Sequence, residues 1–338
     1  MTLTPLFTLC LGLAFFLYGT NTLSAALRHM TGSRLKTTLR NVSSGGFRGL
    51  LLGAGITVFL QSSSALTVLL VRMVDAEILE LRQIIRVIMG SNVGTTLTPW
   101  LLTLTGIEAD RLSLLQPQNL SALLALWGAL LVTASSRPSR QNTGHMMVGI
   151  SLLLRGMDLM VQSASPLAET RFLSFWLSAC QAPLPGLLAG TIFTAVIQSS
   201  AASIGILQAL ALAQPISYAS AIPIIMGQNI GTCVTAWLSS AGASRQARRV
   251  AVVHSSFNLI GSLCVLAFLS AARAFFHPSI LNTPISPLGI ALCHTLFNLA
   301  TTLLLLPFPS QLETLATILV PNPPHTPRAQ SHGSSVWL

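Results

Sequence analysis

The sequence predicts an all-α polytopic membrane protein made of two inverted-topology repeats, each with a re-entrant helical hairpin and a broken transmembrane helix. Three observations lead there. Of the 338 residues, 51% are hydrophobic and only 8% are charged, where soluble domains carry roughly 25% charged residues. No Asp, Glu, Lys or Arg stands between Arg171 and Arg245, so several consecutive segments must lie in lipid or in a helical core. The polar strings Gln61-Ser62-Ser63-Ser64 and Gly90-Ser91-Asn92-Val93-Gly94-Thr95 return as Gln198-Ser199-Ser200 and Gly227-Gln228-Asn229-Ile230-Gly231-Thr232, both at the single offset that carries Gln61 onto Gln198.

The register extends beyond the motifs. Gly12 and Gly19 pair with Gly149 and Gly156, Gly53 with Gly190, and Trp100 with Trp237, without a gap, as a duplication requires. The first copy covers 6–136 and opens with a crossing at 6–27, which lacks a basic leader and a small-residue cleavage pattern and so reads as a retained helix. Residues 47–78 hold two apolar arms around the Gln-Ser-Ser turn. Arms of this kind fall short of the roughly 20 helical residues needed to span a hydrocarbon layer of about 30 Å, so a re-entrant hairpin surrounded by protein is the expected solution. Crossings at 84–104 and 119–136 complete the copy. The second copy, 146–272, repeats the order with a crossing at 146–163, a hairpin at 184–214 and crossings at 219–241 and 250–272. A final helix at 286–306 precedes a tail, 307–338, whose prolines leave room for a short helix at 310–320 and otherwise predict cytoplasmic disorder. No appended globular domain is expected.

Charge gives the orientation. With seven crossings and hairpins that return to their own side, one side receives Arg28, Arg34, Lys36, Arg40, Arg48, Arg72, Arg82, Arg86, Arg137, Arg140, Arg245, Arg248, Arg249 and Arg328. The other receives Arg111, Arg171 and Arg273. The first side is therefore cytoplasmic, with the N-terminus outside and the C-terminus inside. Three crossings separate the starts of the copies, which makes the second copy inverted. The net charge of +10 is spread over short loops, so the expected partner is the lipid bilayer and not nucleic acid. The five cysteines have no CxxC spacing and read as packing thiols.

The repeated clusters carry the chemistry. Serine hydroxyls, the glutamine amides and the N–H groups at the following helix start can all donate to an oxyanion. Serine oxygens and nearby carbonyls can equally coordinate a hard cation such as sodium, so the residue types suit a cation and an anion bound together. Gln61 and Gln198 are costly in hydrocarbon unless they face partners or a cavity. Gly, Asn and Thr at 90–96 and 227–232 predict unwound mid-membrane segments, with Asn92 and Asn229 in related positions. Arg155 and Asp158 in the fourth crossing are spaced for a mutual salt bridge or, alternatively, for electrostatic support of bound ions. His254 with Asn258, and His294 with Asn298, recur as His-x-x-Phe-Asn, a spacing for bundle hydrogen bonding and not for zinc. No Ser-His-Asp or paired-carboxylate set is present, so the chain does not read as an enzyme. It also carries no ATP-binding motif.

At these residues the chain resembles the type II sodium-phosphate cotransporter family. The resemblance rests on both Gln-Ser-Ser strings, both Gly-x-Asn-x-Gly-Thr strings and His254-Ser255-Ser256-Phe257-Asn258. It implies secondary active transport: sodium-coupled symport of inorganic phosphate across the cytoplasmic membrane by alternating access. The alternative is a phosphate exporter, or a transporter of another small oxyanion with different coupling. It also implies no cofactor beyond sodium as coupling ion. Carried over residue by residue, the substrate and ion site becomes Gln61, Ser62, Ser63, Ser64, Gln198, Ser199 and Ser200, with sodium near Ser63, Ser64, Gln198, Ser199 and Ser200. Asn92, Thr95, Asn229 and Thr232 are expected to support it. The chain departs from the family pattern at Ala201, where a third serine is typical, and at Cys233, where a threonine is. Homo-oligomerisation is left open by the sequence.

Overall fold

The computed structural model describes residues 3–31, 39, 47–103, 117–168 and 170–322. The described residues form helices and no strand: α1 (Thr4–Thr31), α2 (Phe47–Leu60), α3 (Ser63–Asp75), α4 (Leu81–Gly94), α5 (Leu97–Thr103), α6 (Pro117–Ala134), α7 (Pro138–Ala168), α8 (Arg171–Ala179), α9 (Pro183–Ile197), α10 (Ser200–Ala213), α11 (Tyr218–Ser240), α12 (Arg245–Phe276), α13 (Pro287–Leu305) and α14 (Pro309–Leu319). Five of them, α1, α7, α11, α12 and α13, are long and apolar enough to cross a membrane. Together they make an all-α polytopic membrane protein. Arg34, Lys36, Arg40, Arg111 and the stretch 323–338, which includes Arg328, lie outside the described residues.

Local signals explain where the helices begin. Ser217, Ser244 and Ser286 each cap a helix, their side chains accepting from the N–H groups of Ser220, Ala247 and Gly289. Proline in the first turn starts α9, α13 and α14, where its missing N–H costs no ladder bond. Glu80 and Gln83 form a reciprocal capping box at α4, satisfying two end groups at once. Outside the spanning segments, the Ser244 N–H donates to Asp75 at 2.7 Å and holds that carboxyl below the usual range. The tail helix α14 packs on α12 and α4, and Arg249 ties its end down by donating to the Val320 carbonyl at 2.8 and 3.0 Å.

Backbone-to-backbone packing at glycines organises the rest. In the first copy α2 lies against α4, and in the second α9 lies against α11. A methyl group added at Gly53 would stand 2.0 Å from the Val87 carbonyl oxygen, and one at Gly190 would stand 2.1 Å from that of Ile224. From the facing helix, a methyl group added at Gly90 would stand 1.9 Å from the Leu50 carbonyl oxygen and one at Gly227 2.0 Å from that of Leu187; at Gly94 and Gly231 it would stand 2.5 Å from the carbonyl oxygens of Ala54 and Thr191. Each contact of the first copy is thus reproduced in the second with both partners displaced by the repeat offset. Helices α1 and α7 cross antiparallel in the same manner, Gly12 against Gly156 and Gly19 against Gly149, so that one contact becomes the other under the same displacement.

One expected feature forms in one copy only. The first-copy crossing is interrupted at Thr95 and Thr96, between α4 and α5, but α11 runs unbroken through Gly227–Thr232 even with Pro223 inside it. The side-chain bonds are the same in both copies, Asn92 and Asn229 donating one turn back to the carbonyls of Ile88 and Ile225, and Thr95 and Thr232 to those of Ser91 and Gln228. The physical reason lies at Pro99, which has no N–H for the Thr95 carbonyl and whose ring crowds it, where the second copy has Ala236. The glycines serve close packing instead.

Two substitutions test the glycine contacts. Gly53→Ala and Gly190→Ala force a side chain onto a carbonyl, and each should destabilise the protein by about 1–3 kcal/mol, read as a lower midpoint of thermal unfolding in detergent. Gly55→Ala, which meets nothing within 4 Å, should leave the midpoint unchanged or raise it.

Candidate functional site

The two hairpin turns face one cavity of about 320 Å³. Its walls are Gln61, Ser62, Ser63 and Ser64 from the first turn and Gln198, Ser199, Ser200 and Ala201 from the second, with Thr95 and Thr98 after α4 and Thr20, Asn21 and Ser24 from α1.

Each turn is built the same way. Gln61 and Gln198 end their first arms in the left-handed backbone region, with φ of 50° and 57°, a conformation that costs a non-glycine residue about 1–2 kcal/mol. The next residue then caps the second arm: the Ser62 hydroxyl oxygen accepts from the Ala65 N–H at 3.1 Å, and that of Ser199 from the Ala202 N–H at 3.2 Å. The reversal therefore brings the N-terminal turns of α3 and α10 to the cavity, where N–H groups lie outside the helical ladder and carry the positive end of the helix dipole. Gln61 is fixed by its own amide, which donates to the Val58 carbonyl at 2.7 Å, while its Oε1 accepts from Thr98 at 3.2 Å. Behind the turns sit two buried hydroxyl pairs, Thr57 donating to Ser91 at 2.8 Å and Thr194 to Ser203 at 2.7 Å.

Among the described residues, nothing that lines the cavity is charged. It offers hydroxyls, carboxamides and helix N-termini to an anion, and hydroxyl and carbonyl oxygens to a cation. Of the residues singled out by sequence, the cavity gathers Gln61, Ser62, Ser63, Ser64, Thr95, Gln198, Ser199 and Ser200. Asn92, Asn229 and Thr232 are buried outside its lining, with Asn92 donating to the Ile88 carbonyl at 2.9 Å. Of the two departures in the second copy, Ala201 lines the cavity, whereas Cys233 faces the carbonyl of His254 and the amide of Asn258. Asn258 and Asn298 donate one turn back to the carbonyls of His254 and His294 at 3.1 and 2.8 Å. Arg155 and Asp158 form a salt bridge on α7, and Gln162 donates to the same carboxylate; neither charged residue lines the cavity. Sequence reasoning missed the α1 wall. Its signal was present in Thr20, Asn21 and Ser24, a polar patch at helical spacing in an otherwise apolar crossing.

Comparison with known proteins gives the family. YqeW of Bacillus subtilis (strain 168), an uncharacterized protein, is 29% identical over 308 residues, 91% of this chain and 95% of its own length. YjbB of Escherichia coli (strain K12), named for inorganic phosphate export, is 27% identical over 312 residues, 92% of this chain, which spans only 55% of YjbB. Sodium-dependent phosphate transport protein 2A of Rattus norvegicus is 41% identical over 101 residues, 28% of this chain and 16% of that protein. No solved structure matches. The model of the Na+/Pi-cotransporter family matches twice, at residues 15–162 and 152–294, and Leu152, where the second match begins, is the repeat counterpart of Phe15, where the first begins. With nearly the whole described bundle covered by these two matches, the chain belongs to the Na+/Pi-cotransporter family.

Proposed function

We propose that this protein moves inorganic phosphate across the cytoplasmic membrane by sodium-coupled symport, using alternating access around the cavity between the two turns. The observation that carries the reading is the uncharged cavity set between two helix N-termini. Phosphate is a mono- or dianion at neutral pH, and removing such a charge from water is expensive unless charge is supplied with it. Two helix ends contribute roughly half a positive charge each, and among the described residues no basic side chain lines the cavity to supply the remainder. Sodium bound at Ser63, Ser64, Gln198, Ser199 and Ser200 offsets it and couples the two fluxes. Gln61 and Gln198 donate to the phosphate oxygens from opposite walls, with Ser62 and Thr95 beside them.

The two copies are inverted repeats in this reading. Supporting it are the antiparallel crossing of α1 and α7, the matching of glycine contacts at the repeat offset, and the charge bias that places the N-terminus outside and the C-terminus in the cytoplasm. The α1 residues that line the cavity lie beyond the crossing toward the C-terminal end of that helix, so the cavity belongs to the cytoplasmic half. Export through the same site is the second reading, favoured by the name that YjbB carries.

Reconstituted vesicles test this directly. Phosphate uptake should depend on sodium and fall to background when choline replaces it, and uptake indifferent to that replacement would remove the symport reading. Net flux measured in both directions under imposed gradients separates import from export. Gln61→Gly and Gln198→Gly keep the left-handed backbone without strain and remove the amide, so each should lower phosphate flux by at least about tenfold while the unfolding midpoint holds. Ala201→Ser restores a hydroxyl to the second turn and should lower the sodium concentration needed for half-maximal flux.

A further inference from the structure

The two copies share their internal contacts but differ in how α1 and α7 lie on the hairpins. Helix α7 packs along α10, burying Leu154 and Met157 in one apolar cluster with Ala201, Ala202 and Ile206. Under the repeat offset, the corresponding partners are Leu17 and Thr20 on α1 and Ser64, Ala65 and Leu69 on α3. That seam is not formed: Leu17, Thr20 and Ser64 line the cavity instead, and Ala65 and Leu69 are only partly buried, packed on a different cluster. The same contrast runs along the helices. Met157 is fully buried and its counterpart Thr20 is not; Asp158 is less exposed than its counterpart Asn21.

Position relative to the crossing gives this asymmetry a direction. Leu17 to Ser24 run from the crossing toward the C-terminus of α1, and Leu154 to Val161 run from it toward the C-terminus of α7. Because the helices are antiparallel, with Gly12 on Gly156 and Gly19 on Gly149, the two segments extend from the crossing toward opposite ends of the bundle. On one side of the crossing lies a polar vestibule lined by Leu17, Thr20 and Ser64, and the equivalent place on the other side is a closed apolar seam. Closed cores of this kind are bistable and do not deform continuously.

We propose that the α7–α10 seam, Leu154 and Met157 on Ala201, Ala202 and Ile206, is the shut gate of a second vestibule leading to the same two turns, and that Asp158 takes in that vestibule the place Asn21 holds in this one. The inference rests on the transport reading above for its solute dependence, but the gate itself is argued from packing. Opening the seam exposes a wall that differs in chemistry from the present one. Asn21 is a neutral carboxamide, whereas Asp158 is a carboxylate held by Arg155 and Gln162, so the second vestibule carries an ion pair beside the turn formed by Gln198, Ser199 and Ser200. Arg155, its side chain 46% exposed, lies less than one turn from the Gly156 contact and thus near the level of the crossing. A guanidinium at that depth is costly against hydrocarbon, and a vestibule gives it water.

The test compares two reporters in the full-length chain, Thr20→Cys and Met157→Cys, each added to the five native cysteines, treated in vesicles with a membrane-impermeant maleimide and read position by position by peptide mass spectrometry, so that the native thiols are scored apart. Sodium, phosphate, both together or choline alone is supplied. Conditions that raise modification at 157 by about tenfold should lower it at 20 by a similar factor, as two exclusive states require. A second arm needs no solute: Ile206→Trp overfills the seam, and it should raise modification at 157 and lower it at 20 in choline. Flat solute arms with a reciprocal tryptophan arm support the gate and count against phosphate or sodium as the ligand. Rates at 20 and 157 that rise together, or a residue 157 that stays unmodified in every condition while 20 reacts, overturn the gate even where phosphate uptake is intact. Should Ile206→Trp not yield a monodisperse protein, the solute arms decide alone, and no change at 157 in any of them overturns the proposal.

Discussion

The closeness of two backbones governs this structure. Helix α2 can rest on α4, and α9 on α11, only because Gly53, Gly90 and Gly94, and then Gly190, Gly227 and Gly231, leave space where any side chain would strike a carbonyl group. These contacts hold the first arm of each hairpin against a neighbouring helix, so its last residue arrives at a fixed place although the arm does not span the bundle. From there the order is forced: the left-handed glutamine reverses the chain, the following serine caps the second arm, and the helix start opens to the cavity. A hairpin end within a membrane protein is stable only where protein or a polar cavity surrounds it. The glycine contacts meet the first condition and the shared cavity meets the second.

The cavity's lack of charge follows from the same construction. A lysine or arginine at the turns would bind an anion tightly, but it would also have to be solvated when the anion left. Helix ends and hydroxyl groups attract more weakly and need no counter-ion in the empty state. In the proposed cycle the missing positive charge arrives with the sodium, so binding of either ion depends on the other, which is the thermodynamic content of coupling. The second turn contributes one hydroxyl fewer, with Ala201 opposite Ser64, and the two halves of the site are unequal for that reason.

Much of this was legible in the sequence because it follows from spacing. A constant register between the copies tells which glycines correspond, and apolar arms flanking Gln-Ser-Ser mark both hairpins closely. What escaped was the use made of ambiguous side chains. Glycine, asparagine and threonine in a crossing are consistent with an unwound segment, and they are also consistent with a tight helix whose side chains bond one turn back; both copies make those bonds, and Pro99 against Ala236 is what divides them. The α1 wall escaped for another reason. Thr20, Asn21 and Ser24 have no polar counterparts in the second copy apart from Asp158, so a search guided by repetition passes over them.

The division between what repeats and what does not also identifies the moving parts. Trp100 donates to the Thr295 hydroxyl at 2.9 Å, and its counterpart Trp237 donates to that of Ser255 at 2.7 Å. Ser255 and Thr295 follow His254 and His294 in the two His-x-x-Phe-Asn strings, one on α12 and the other on α13. Those helices thus stand in corresponding relation to the two copies, and the tryptophan anchor is made in both. Hairpins, long helices and the α12–α13 pair therefore share contacts that do not depend on which end is open. The asymmetry between vestibule and seam lies in how α1 and α7, with α6 packed on α7, meet the hairpins. If the gate moves as proposed, exchanging the open and shut ends leaves the first body intact and rocks the second across it, with the contacts between Gly12 and Gly156 and between Gly19 and Gly149 as the pivot. The pivot lacks side chains at its contact points, which lets the helices roll without interlocking, and its position beside the cavity means that a small rotation there suffices to shut one seam and open the other.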